Sequence, residues 1–356
     1  MIDGIPVVDA VVHAYNLSAD NVASDIGAMV REGFAMLHNH WNPSDAQMPP
    51  DAYRVDQSAE LLATTLFTES DVDIAVYHTL RLDSLFLDGL CSQAKNVELQ
   101  ARWPNRFVAY VGIDPTLGLD VALADLEQQL DELPQAIGVK LYPDQLNPYR
   151  TFRMDDPALC FPIYQRAAER GVKVIAVHKA LPNGPVPLNP YRIDDVEGAA
   201  MAFPNLNFEI VHAGMAFVEE TAHALARFPN VYANLEVTAQ YLWKAPRLFQ
   251  EILAQFLFWS GPFKIVWGTG GLFGHPQSML ERFWAFEWEP EVQAKWNLPP
   301  LDRAMKAQIL GRNFATMAGL DLDAAVRATA DDEWADARRR RGGGVNAPFT
   351  YWRAQL

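Results

Sequence analysis

An α/β fold of the (β/α)8 TIM-barrel type, with a long insertion after its first strand and a C-terminal extension, is what this sequence predicts. Three observations carry that expectation. Eight short apolar runs alternate with longer amphipathic ones. The runs are rich in β-branched residues, as strands buried on both faces are. Two of them, Val172 to His178 and Leu206 to His212, end on a histidine in the same way. In a parallel barrel every strand delivers its last residue to one face, where function collects.

The elements follow in order. Ile5 to Val12 reads as the first strand and ends at His13. Weak periodicity marks residues 15–52 as an insertion, and a connection that long is more often a lid or a subunit contact than filler. Tyr53 to Ser70 reads as a helix, Val72 to His78 as the second strand and Leu85 to Arg102 as a helix stopped by Pro104. Phe107 to Ile113 is the third strand, and a helix over Leu119 to Leu133 leads to the fourth, Ala136 to Leu141. The helix Pro157 to Arg170 precedes the fifth strand, Val172 to His178, and the helix Asp194 to Phe203 precedes the sixth, Leu206 to His212. Phe217 to Phe228 is helical, Val231 to Glu236 is the seventh strand, and Tyr241 to Trp259 is an aromatic helix. Lys264 to Trp267 starts the eighth strand, which reaches Gly268-Thr269-Gly270-Gly271. Met279 to Phe286 and Leu301 to Ala318 close the barrel. The domain thus covers 1–320, and 321–356 is an extension.

Bulk composition narrows the function. At 356 residues the chain suits one large domain. A formal charge of −15 argues against a nucleic-acid partner, which needs a concentrated basic surface. The basic run Arg338 to Arg341 follows acidic residues and reads as solvated or locally paired. No GxGxxG follows the first strand and no Walker loop occurs, so nucleotide folds are not indicated. Cys91 and Cys160 form no CxxC, and the N-terminus lacks the pattern of a signal peptide. A cytoplasmic protein without membrane contact is expected. The insertion and the Trp- and Phe-rich tail offer apolar surface suited to a homo-oligomer.

Chemistry is expected at the strand ends. His13, His178 and His212 fall there, and neutral imidazoles are frequent ligands of divalent metals. Glu236 ends the seventh strand and is a candidate ligand or general base. Lys140, on the fourth strand, suits the anchoring of a substrate carboxylate, and Arg81 suits a bidentate clamp on an anion. His275, in Gly274-His275-Pro276, is placed to reach the pocket from the loop after the eighth strand. Asp9 is given a supporting role, and the HxH pair His38 and His40 lies in the insertion. Tyr241, Trp243 and Phe249 suit a ring or an apolar group, or helix packing.

Asp9-Ala-Val-Val-His13, Gly138-Val-Lys-Leu-Tyr-Pro143, Val-His178, Val-His212-Ala-Gly and Ile309-Leu-Gly-Arg-Asn313-Phe-Ala315 occur in an order that resembles the amidohydrolase-related metal-dependent hydrolases. That group includes aminocarboxymuconate-semialdehyde decarboxylase. The resemblance covers about residues 7–320 and implies one divalent metal, commonly zinc, at the barrel mouth, with His13 and His178 as ligands and His212 nearby. Two positions depart from it. Where the family has His-x-His on the first strand, Val11 takes the first place, and where it has an aspartate on the eighth strand this chain has Gly270. Glu236 is the first candidate to replace that carboxylate.

These readings converge on a metal-dependent hydrolase of a small organic substrate, acting on a C–N, ester or lactone bond. A non-oxidative decarboxylase of an unsaturated or aromatic acid is the alternative on the same rim, and a degenerate barrel that binds a ligand without turnover is the third.

Overall fold

The computed structural model describes residues 1–182, 184–340 and 342–354. Within them a single parallel sheet closes on itself. Its strands are β1 (Val8–His13), β2 (Ile74–His78), β3 (Phe107–Gly112), β4 (Gly138–Leu141), β5 (Val174–His178), β6 (Asn207–Val211), β7 (Val231–Asn234) and β8 (Ile265–Val266), each paired with the next in chain order. Strand β8 pairs with β7, and after three intervening residues Gly270 and Gly271 pair with Val12 and His13 of β1. The eighth strand is therefore shared between both neighbours, and this closes the barrel. The expected TIM-barrel architecture is the one observed.

Closure depends on polar groups inside the wall. Asp9 is fully buried in β1, and its carboxylate accepts the Thr269 amide at 2.9 Å and the Thr269 hydroxyl. This fixes the turn that carries the Gly-Thr-Gly sequence between β7 and β1. Asn313 donates to the carbonyls of Pro262 and Ile265, both at 2.6 Å, so the late Gly-Arg-Asn-Phe segment holds the start of β8. Beneath, Phe314, Met317 and Leu322 pack against Val8, Ile74 and Val174 and plug the bottom of the barrel.

Helices depart from the sequence expectation where capping decides. The helix expected from Tyr53 begins at Ala59, because the Ser58 hydroxyl caps the Leu61 amide. The one expected from Leu85 begins at Gln93 for the same reason, with Ser92 capping Lys95. Pro246 splits the aromatic helix into Tyr241–Lys244 and Pro246–Ser260, since proline is tolerated only in a helix's first turn.

The insertion contains the largest departure. Where periodicity is weak, a 17-residue helix, Asp25–Trp41, lies over the barrel mouth, capped by Ser24. Gly27 allows it to approach closely, because a Cβ there would stand 2.1 Å from the Leu85 carbonyl oxygen. His38 ties the helix down: its Nε2 accepts the Met48 amide at 2.9 Å, so its Nδ1 carries the proton toward the Phe273 carbonyl at 3.0 Å. His38 is thereby a structural bridge, and His40 points elsewhere, edge-on to Trp41.

The tail packs on the barrel. The Glu69 carboxylate accepts the amides of Phe349 and Thr350, each at 2.6 Å, and also the Thr350 hydroxyl. Of the basic run, Arg338 pairs with Asp71 and Arg339 with Asp336, while Arg341 lies outside the described residues. No helix is long and apolar enough to cross a membrane among the described residues.

Glu69→Ala should strand those donors and cost about 1–3 kcal/mol of stability. Thermal unfolding should report it, together with faster tryptic cleavage in the last two helices. An unchanged midpoint and cleavage rate would show that the tail is held by other contacts.

Candidate active site

At the C-terminal mouth of the barrel lies a cavity of about 270 Å³. Its floor is formed by His13, His178, His212 and Glu236, and its walls are apolar: Met29, Val30, Phe34 and Leu37 come from the inserted helix, Leu80 and Leu90 from the loop after β2, and Phe273 from beyond β8. The structure thus brings together the three strand-end histidines and Glu236.

These groups form a directed chain. His178 sets its Nε2 2.6 Å from the Leu181 carbonyl, and its Nδ1 lies 2.8 Å from the Nε2 of His212. The Nδ1 of His212 faces the Oε2 of Glu236. A carbonyl can only accept, so His178 must carry its proton on Nε2 and accept at Nδ1. His212 then donates from Nε2 and presents a bare Nδ1 to Glu236. Two neutral imidazoles supply the protons of the two hydrogen bonds, and the bare Nδ1 of His212, set against Glu236 Oε2 without a hydrogen bond, disfavours a charged carboxylate there. These tautomers are assigned from the network.

The surroundings favour the same protonation. Burial pushes the Glu236 pKa up to about 8, with Lys140 pulling it back. Burial first, and the Lys140 charge and neighbouring histidines next, hold His13, His178 and His212 well below the ordinary histidine value. Lys140 is itself buried in β4, which lowers its pKa to about 8, and it acts on Glu236 and Glu209 through space. Glu209 of β6, raised to about 7 by burial, accepts a hydrogen bond from Asn234, and Asn234 accepts the Glu236 amide at 2.9 Å.

Backbone geometry is unusual at the same place. His212 and Val237 both adopt positive φ, at +65° and +58°. A β-branched residue there stores on the order of 1–3 kcal/mol of strain, a cost that tends to gather at functional sites. These turns swing His212 and Glu236 toward each other. Behind them Tyr142 stacks on His178, with ring centroids 4.5 Å apart. Lys179 is locked to Asp195 and to the Pro190 carbonyl, which steadies the loop bearing Leu181.

Other sequence candidates are placed elsewhere. Arg81 is not in the cavity: Asp83 binds it bidentately and Asp125 binds its far nitrogen, so its charge is already spent on the rim. His275 is buried under the tail, with its Nε2 3.3 Å from Glu69 and its ring against Phe349. Lys140 is buried and is not among the residues that line the cavity. Phe249 is core, and Trp243 lies on the surface under Arg282. The Leu181 carbonyl and Glu209 were not found from sequence, and the insertion, expected as a lid or a subunit contact, was read without its helix. A backbone carbonyl has no residue signature, and the lid required knowledge of a helix that periodicity does not show.

The expected metal site does not assemble. Among the described residues no three His, Cys, Asp or Glu side chains converge to hold an ion. Both ring nitrogens of His178 are engaged as above, whereas the Nδ1 atoms of His13 and of His212 have no hydrogen-bond partner among the described residues. As placed, His13, His178, His212 and Glu236 do not form the three-ligand set that the resemblance implied.

The comparisons with known proteins agree with the fold. The amidohydrolase family model matches residues 35–320. No curated protein matches the chain by sequence. Among solved structures, an uncharacterized TIM-barrel protein from Bordetella bronchiseptica, Bb4693, superposes with a TM-score of 0.62 at 18% identity, covering 91% of this chain and all of its own. A putative 2-pyrone-4,6-dicarboxylic acid hydrolase from Pseudomonas putida has a TM-score of 0.52 at 13% identity, covering 89% of this chain and 98% of its own. A 5-carboxyvanillate decarboxylase from Novosphingobium aromaticivorans, with bound manganese, has 0.51 at 12%, covering 90% and 98%.

The buried groups predict a stability maximum near pH 6.5. Below it, His13, His38, His78, His178 and His212 are neutral when folded and charged when unfolded, so unfolding takes up protons and acid destabilises. Above it, Asp9 and Glu209, at about 7, and Glu236, at about 8, still hold protons in the fold that the unfolded chain has lost, so stability falls as pH rises to about 8. Denaturation midpoints measured from pH 5 to 8.5 should trace that dome, and Glu236→Gln should flatten its alkaline side. A midpoint that rises steadily to pH 8.5 would contradict the buried neutral acids.

Proposed function

This chain belongs to the amidohydrolase family, and from that premise we propose that it is a hydrolase of a small, uncharged and largely apolar substrate with an ester, lactone or amide bond. One observation carries the reading. A neutral base and a neutral acid share the floor of one cavity, because burial lowers the pKa of His13 and raises that of Glu236. Environments that push two groups apart in this way assign their roles.

His13, with its Nδ1 free of a protein partner, takes the proton of an attacking water as the new C–O bond forms. The bond to the leaving oxygen or nitrogen then breaks, and that atom takes the Glu236 proton. His212 and His178 hold the carboxyl in its donating form. The buried cation Lys140 favours negative charge developing above it. The cavity lining contains no arginine or lysine among the described residues, which favours an uncharged substrate.

Decarboxylation is the second reading, favoured by the same Glu236 proton, which would be delivered to carbon as carbon dioxide leaves. A panel of small lactones, esters, amides and aromatic acids, followed by acid release and by carbon dioxide release, separates the two. On the active substrate, Glu236→Gln and His13→Gln should each lower kcat by about 10²–10⁴-fold without unfolding the protein. The wild-type rate should fall as pH rises through about 8, where Glu236 loses its proton. Full activity in Glu236→Gln, or a rate still rising above pH 9, would remove Glu236 from the acid role.

A further inference from the structure

We propose that this site works without a metal ion, with the Lys140 ammonium serving inside the barrel as the fixed positive charge and the Glu236 carboxyl seated in the space of an eighth-strand carboxylate. The inference goes beyond the reaction class and applies equally to hydrolysis and decarboxylation.

Gly270 gives the first argument. Its φ is +80°, and a Cβ built there would lie 2.6 Å from Glu236 Oε1 and 3.1 Å from the Phe273 Cβ. No side chain, and so no aspartate, can stand at that position while Glu236 holds its place. The carboxyl group has moved from the eighth strand to the end of the seventh, and the glycine is its steric complement.

The nitrogens give the second. A metal binds lone pairs, whereas His178 spends its own in accepting from His212 and gives its proton to the Leu181 carbonyl at 2.6 Å, and the remaining Nδ1 of His212 is covered by the Glu236 carboxyl. An ion on His178 Nε2 would have to expel that proton and turn the ring away from the carbonyl. Val11, at the position of a further ligand, is fully buried in the apolar barrel interior with Val8 and Ala10.

The third is charge. Lys140 of β4 is buried, with its Nζ 5.5 Å from the centroid of the Tyr142 ring that lines the cavity, and its charge faces Glu236 and Glu209. A divalent ion bound beside it would meet a like charge at short range in a poorly screened interior. The lysine and the ion are alternatives for one role. Lys140 is not among the residues that line the cavity, and it acts through Glu236 and the histidines as a positioning and electrostatic residue.

Two measurements test this. Wild-type protein is stripped with EDTA, exposed separately to excess Zn²⁺ and Mn²⁺, freed of unbound ion and analysed by plasma mass spectrometry and thermal unfolding. The expected result is well under one ion per chain with either metal and an unmoved midpoint; a near-stoichiometric ion that shifts the midpoint overturns the proposal, whatever the substrate proves to be. In Lys140→Met, which keeps the length and removes the charge, NMR titration should show the His212 and His178 rings becoming easier to protonate, and turnover should fall by about 10²–10³-fold. Lys140→Arg tests charge retention if the methionine variant fails to fold. Imidazole titrations unmoved in a folded uncharged variant, or an arginine variant whose titrations match that variant, would show that Lys140 only packs.

Discussion

A backbone carbonyl has no proton to give, and at Leu181 that constraint orders the whole site. It forces His178 to donate outward and His212 to donate toward His178, which leaves a bare Nδ1 against the Glu236 carboxyl. Reversing either hydrogen bond would set two lone pairs against each other between buried side chains, at the full desolvation penalty of the stranded group. The loop that presents the carbonyl is accordingly built stiffly, with the buried Lys179 and Asp195 pair beneath it. Strain at His212 and Val237 is the other side of the same demand, since relaxed strands would not bring an imidazole and a carboxyl face to face.

Closure of the barrel and construction of the site are one problem. The eighth strand must leave β7 and join β1 within a few residues, and it does so through Gly268-Thr269-Gly270-Gly271. Asp9 anchors the middle of that crossing, and Glu236 fills the space beside Gly270. A bulkier sequence in the crossing would displace the carboxyl or open the wall. Inside, three acids, a lysine and several histidines share a small volume with far less solvent than each would have alone. Burial, more than any pairing, sets their protonation.

Much of this was legible before folding. The alternation of β-branched runs and amphipathic stretches gave the eight strands, because a strand buried on both faces has few acceptable residues. Strand ends ending in His13, His178 and His212 gave three of the four floor residues, and Glu236 followed from its position on the same rim. His275 was misplaced because the partner that engages it, Glu69, is distant in sequence, and Arg81 because its clamp on Asp83 two residues on, completed by the distant Asp125, leaves no mark in the residue pattern. The lid helix was missed because its apolar residues face two ways. Some pack on the barrel and some line the cavity, which blurs a one-sided period. Ser24 was its clearest signal, a cap before an acidic first turn.

The helix Asp25–Trp41 supplies a large share of the cavity's apolar wall but none of its reactive floor. Chemistry and selectivity are therefore written in separate stretches of chain. Substitutions at Met29, Val30, Phe34 or Leu37 reshape the cavity without disturbing the proton order that begins at Leu181, provided that His38 keeps the helix fastened to Phe273. The helix therefore sets the shape of what the cavity admits, and the barrel rim sets which protons it meets.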